Sequence, residues 1–96
     1  MTSKNKQKGN RFEREIVNIA KSLGLEAQRA YASDGRSLGC SEKVDVLLAN
    51  KKLQLKARKT LPKWLSLEDV DAVIIKADRQ DPLVLIPLAE YLELLK

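Results

Sequence analysis

The apolar positions of this chain repeat with two different periods. Phe12, Ile16, Ile19, Ala20 and Leu23 fall at i, i+4, i+7, i+8 and i+11, the spacing of one stripe along an α-helix. Gly24 follows and suits the C′ position, where a left-handed residue ends a helix at little steric cost. At 100° per residue Glu13 falls at the margin of the stripe, beside Val17 and Ala20. Its carboxylate therefore looks toward whatever the helix packs on, whereas Arg14, Asn18 and Lys21 face away.

Beyond Gly24 the period shortens to two. Leu25 to Ala30 reads as a short strand. Tyr31 to Glu42 (YASDGRSLGCSE) is rich in Gly and Ser and reads as a loop. It is long for so small a chain, and a loop of that length is either functional or disordered. In Lys43 to Ala49, Val44, Val46 and Leu48 share one face and leave Asp45 and Leu47 on the other. In Lys52 to Ala57, Leu53, Leu55 and Ala57 share a face opposite Gln54 and Lys56. Asn50-Lys51 between them predicts a two-residue hairpin turn that pairs 45 with 56 and 47 with 54. On that register Asp45, Gln54 and Lys56 lie on one face, and a one-residue slip would part them.

After Pro62 and Trp64, Ser66 to Asp69 predicts a turn or short helix. Ala72 to Ala77 and Leu83 to Ile86 are apolar runs of strand length around the turn DRQDP. Leu88, Tyr91, Leu92 and Leu95 mark a last helix, with Pro87 suited to its first turn. The order is helix, three strands, two strands, helix. The 96 residues predict one domain, 1–96, with residues 1–7 as a flexible basic arm carrying Lys4 and Lys6 and followed directly by Lys8. That arm either frays in solvent or tracks a nucleic-acid backbone.

Composition narrows the chemistry. A net charge of +5 and a pI near 9.5 favour polyanionic partners over small-molecule substrates or membranes. The lone Cys40 forms no internal disulfide, which suits a reducing cytoplasm, that of a prokaryote or of a virus's host. With four aromatic residues, single-strand binding by base stacking is disfavoured. The chain has no histidine. Ser-His and Cys-His nucleophiles, an imidazole base and His-ligated zinc are thereby excluded. Catalysis falls to carboxylates, lysine and a hard cation bound through oxygen.

Asp45, Gln54 and Lys56 on one hairpin face fit that chemistry. Oxygen donors hold a cation that polarises a phosphodiester and activates water, and a lysine stabilises the charge that builds. Polar residues alternating with apolar ones are also what any half-exposed strand shows. The order of several segments adds to the geometry. Lys8-Gly9-Asn10-Arg11-Phe12-Glu13-Arg14-Glu15 resembles the K-G-x-x-x-E-R-E opening of archaeal-type Holliday junction resolvases, which belong to the PD-(D/E)xK superfamily. Arg29-Ala30-Tyr31-Ala32-Ser33 resembles their R-x-x-x-S segment, Lys43-Val44-Asp45 their aspartate strand, and Gln54-Leu55-Lys56 stands where they carry E-x-K. The likeness in motifs spans about Lys8 to Arg58.

The resemblance implies a restriction-endonuclease-like α/β fold, with a mixed central sheet flanked by helices, and a homodimer acting on four-way DNA junctions with Mg²⁺ or Mn²⁺. It makes Asp45 the principal metal ligand, Gln54 and Glu13 further ligands, and Lys56 the catalytic lysine. Arg14, Arg29 and Ser33 would contact phosphates or support the site. Lys8 in the arm, Arg36 in the loop and Arg58 beside Lys56 are further candidate DNA contacts. Gln54 departs from the family's glutamate. An amide oxygen still ligates a hard cation, without charge and so more weakly. Either Glu13 compensates as second carboxylate, or this copy binds DNA and cuts it poorly.

Overall fold

A computed structural model describes the backbone of residues 4–30 and 35–96, and side chains from residue 7 onward within those ranges. The chain divides into two compact units, Met1–Ala57 and Arg58–Lys96.

The first unit opens with helix α1, Lys4–Ser22. Four of the seven residues expected to form a loose arm are thus helical. The apolar stripe begins only at Phe12, so periodicity is silent over the first two turns. Lys and Gln are nonetheless good helix formers, and Gly9 faces open space. The buried line of α1 runs Glu13, Ile16, Val17, Ala20, an i, i+3, i+4, i+7 pattern. That is rotated from the expected stripe, leaving Ile19 at the exposed margin and putting Glu13 well inside. The helix ends as expected at Gly24, with φ 81°. Leu25 N–H bonds the Ala20 carbonyl at 2.9 Å and Gly24 N–H that of Lys21 at 3.0 Å, the pair of bonds that defines a Schellman motif.

Three short strands follow: β1 Ala27–Arg29, β2 Val46–Leu48 and β3 Lys51–Leu53. They form an antiparallel sheet in the order β1-β2-β3. Helix α1 packs on the face that carries Val46 and Leu48, both fully buried. Gln28 and Lys52 lie exposed on the other.

The β2–β3 register corrects the sequence reading. Val46 pairs with Leu53, Leu47 with Lys52 and Leu48 with Lys51, so the turn is Ala49-Asn50 and not Asn50-Lys51. Ala49 has φ 48° and Asn50 φ 67°, the double positive φ of a type I′ turn. Asn accepts that region readily, and placing it second keeps Lys51 in the ladder. Moving the turn by one residue shifts each partner by two, so the faces expected for the side chains survive.

The segment between β1 and β2 contains a 3₁₀ turn, Gly35–Leu38, closed by Cys40 N–H on the Gly35 carbonyl at 2.8 Å. Gly35 is buried, and a Cβ there would lie 2.1 Å from the Ser41 carbonyl oxygen and 2.6 Å from Val44 Cβ. Only glycine lets this turn fold down on the residues that lead into β2.

The second unit holds the hairpin β4 Val73–Ile75 and β5 Leu83–Leu85, paired antiparallel, and helix α2, Leu88–Leu94. Pro87 stands at the N-cap, one place before the first turn where the sequence put it. Element order and α/β class are as expected. Within that class the described strands pair as two antiparallel sheets in place of one mixed sheet. β3 ends at Leu53, and its ladder does not continue into the segment leading to the second unit.

Candidate active site

The site is built at the end of the β2–β3 ladder. Asp45 N–H donates to the Leu53 carbonyl at 2.9 Å, yet Leu53 is already the partner of Val46. Two consecutive residues therefore face one, the count of a β-bulge, a device that ends pairing and re-aims a side chain. The Asp45 side chain completes the arrangement. Its Oδ2 accepts the Leu55 N–H at 2.8 Å, taking the place a backbone carbonyl would fill in a regular ladder. On its other flank, the Asp45 carbonyl accepts the Ala30 N–H at 2.9 Å.

Leu55 is the central residue of Gln54-Leu55-Lys56. The N–H that grips the Asp45 carboxylate therefore belongs to the peptide linking the two other candidates. Leu53 and Leu55 are half-buried, and Gln54 and Lys56 are exposed. Asp45 is half-buried, close enough to solvent for a substrate to reach it.

Glu13 enters from α1. It is 4% exposed and accepts from Arg29 Nε on β1 at 3.3 Å. Arg29 Nη2 also donates to Asn10 Oδ1 at 3.4 Å. A carboxylate this deep needs such a partner, because an unpaired buried charge is costly. Glu13 and Asp45 are tied to consecutive residues at the end of β1: Arg29, its last residue, holds the first, and the N–H of Ala30, just past it, bonds the backbone carbonyl of the second. Among the described residues every buried side-chain nitrogen and oxygen has a hydrogen-bond partner.

The expected site residues thus fall into groups. Asp45 is bonded to Leu55, the residue between Gln54 and Lys56, while Glu13 is held by Arg29 on β1. Arg29 is engaged with Glu13 and Asn10. Lys8 and Arg14 are exposed on α1, Arg36 is exposed in the 3₁₀ turn, and Arg58 opens the second unit. Ser33 lies outside the described residues. Asn10 was missed by the sequence reading. Its signal was its place three residues before Glu13, on the same helical face.

The donor set is oxygen only, which suits a hard cation. Among the described residues no three Asp, Glu or Cys side chains gather closely enough to hold a metal ion. Such a cation would meet one free carboxylate and one amide, the rest of its shell coming from water and phosphate. Mg²⁺ tolerates that arrangement well.

The sequence profile of the archaeal Holliday junction resolvase (hjc) family matches residues 4–80. The chain belongs to that family. It is a Holliday junction resolvase-type nuclease with the α/β fold of the PD-(D/E)xK superfamily. The match reaches beyond Arg58, where residue-level motifs stop, into the second unit. Searches of curated proteins and of solved structures return no match. No helix among the described residues is long and apolar enough to cross a membrane.

Proposed function

We propose that this resolvase-type chain is a metal-dependent, structure-selective endonuclease. In this reading it hydrolyses phosphodiesters at four-way DNA junctions, as a homodimer in the cytoplasm with Mg²⁺ or Mn²⁺. The observation that carries the reading is the Asp45 carboxylate held by the Leu55 N–H, within the Q-x-K segment itself. That bond fixes one oxygen and leaves Oδ1 for a cation. Gln54 supplies a neutral second oxygen. When bound, the cation neutralises phosphate charge and acidifies a water molecule. Lys56, exposed beside Gln54, donates to the scissile phosphate or orients the attacking water. Glu13, buried and paired with Arg29, supports the site from α1.

Asp45→Asn tests this with little structural disturbance, because an amide oxygen still accepts the Leu55 N–H. Cleavage of a labelled four-way junction is expected to fall at least about a hundredfold, with binding retained. Undiminished cutting by this variant would end the reading.

Gln54, and the lack of a three-carboxylate cluster among the described residues, favour a second reading, a module that binds junctions and cuts weakly. Gln54→Glu separates the two. A large gain in rate at low metal concentration marks a weakened site. A small change marks a site that works with an amide ligand.

A further inference from the structure

We infer that a groove in the second unit, lined by Trp64 and the β4–β5 hairpin, takes one unpaired nucleobase. Ile75 and Leu83 are direct cross-strand partners and give the groove an apolar floor. Trp64 lines it with them, and Lys76, Gln80 and Asp81 supply polar groups. The indole is mounted on a closed turn, because the Leu65 N–H donates to the Pro62 carbonyl at 2.9 Å. Trp64 is nonetheless 58% exposed, so a large apolar ring is left for a partner to cover.

Size, lining and charge select the occupant. The groove holds about 240 Å³, less than the roughly 300 Å³ at which pockets for drug-sized ligands begin. It suits a single ring system. An indole and aliphatic side chains accept the flat face of a heterocycle, and every base has such a face. The Gln80 amide both donates and accepts, and the Asp81 carboxylate accepts an amino or imino N–H. These are the pairings that read the edge of a base. Residues 58–64, the run that ends in Trp64, carry Arg58, Lys59 and Lys63 and no acid. Residues 65–96 carry three Lys and Arg against seven Asp and Glu, a net of −4. The positive charge of this unit is thus gathered on the segment that bears the ring. Arg58, Lys59, Lys63 and Lys76 are exposed and form no ion pair among the described residues, which leaves them for phosphates. An acidic peptide would match these cations but bring its carboxylates toward Asp81, where a base brings an N–H.

Four aromatic residues are too few for a run of stacked bases, but one base needs only one ring. A base inside a duplex has both faces covered, and extracting it costs pairing and stacking energy. The groove therefore favours DNA with an opened base over uninterrupted duplex. That a junction offers such a base at its branch point rests on the function proposed above; base capture itself does not.

Trp64 is the only tryptophan of the chain, so its emission reports on this groove directly. The test titrates the full chain, in EDTA so that nothing is cut, with a short single strand of mixed sequence. An abasic strand of the same length and a blunt duplex serve as comparisons, and anisotropy of labelled copies gives the affinities. The base-bearing strand is expected to quench Trp64, since stacking on a base quenches an indole. The abasic strand should bind without quenching. Trp64→Ala should weaken binding of the single strand about tenfold, the loss of one stacked base, and leave duplex affinity unchanged. Trp64→Phe should recover part of that loss, and circular dichroism checks the fold of both variants. Equal quenching by the abasic strand, no quenching by the base-bearing strand, or equal weakening of single strand and duplex by Trp64→Ala would each overturn the proposal. So would emission that changes with protein concentration before DNA is added, which marks a second copy of the chain over the ring. Asp45→Asn should quench as the wild type does. Cleavage lost with quenching kept bears on the active site alone, and cleavage kept without quenching strikes only the groove.

Discussion

In residues 1–57 most apolar side chains lie inside and most charge, Glu13 apart, lies outside; in residues 58–96 large apolar side chains lie at the surface. Seven of the eight buried apolar residues described belong to the first unit. Eight of the nine exposed large apolar residues belong to the second. Net charge divides the same way, +6 against −1. One unit resembles a domain with its own core and a polyanion-binding exterior. The other carries most of its large apolar side chains at the surface. The difference teaches that the basic character of the whole chain is a property of one part of it, the part with the candidate active site.

The sharpest way to break this comparison is to make matched substitutions on the two sides. Leu48 is fully buried beneath α1, so Leu48→Ala removes packed methyl groups and leaves a cavity. A loss of about 4 kcal/mol is expected in chemical denaturation. Ile74→Thr, measured dilute enough for the chain to be monomeric, should stay within about 0.5 kcal/mol. Similar losses at both positions would mean that the second unit buries its hairpin after all.

How far the sequence could be read follows the same division. Helix α1, its end at Gly24 and the inward aim of Glu13 were legible, because they follow from short-range spacing against one covered face. The start of α1 was not, since Lys4 to Arg11 holds no apolar stripe. That Asp45 lies beside the Gln54-Leu55-Lys56 segment was legible from the hairpin, although the turn falls one residue earlier than expected. The bulge at Asp45 was invisible, because it rests on a carboxylate bonding a backbone N–H ten residues away. So was the glycine requirement at position 35, set by the close approach of Ser41 and Val44. In the second unit the apolar runs revealed strands, but no alternation said which face would stay open.

Arg29 offers the next test. The sequence left it between contacting phosphate and supporting the site, and the structure pairs it with buried Glu13. Arg29→Ala would take the guanidinium away from a carboxylate that is 4% exposed, at an expected cost of about 3 kcal/mol. Adding Glu13→Gln should recover most of that loss, since a neutral amide is far cheaper to bury. If Arg29→Ala leaves stability untouched and weakens only DNA binding, the arginine serves phosphate. The first unit would then owe less to its internal ion pair than the comparison assumes.

The smallest effect tests the register on which the site depends. Ala49 occupies the left-handed region at φ 48°, where a Cβ costs roughly 1 kcal/mol. Ala49→Gly relieves that strain, keeps the N–H that bonds the Glu26 carbonyl, and adds some unfolded-state entropy. The net expectation is a gain of about 0.5 kcal/mol with junction cleavage unchanged. A turn at Asn50-Lys51 would instead make Ala49 a strand residue, and glycine there would destabilise by about as much. The sign of the change therefore decides between the two registers. Destabilisation would put Lys56 opposite Asp45 and remove the bulge that lets Leu55 hold the carboxylate.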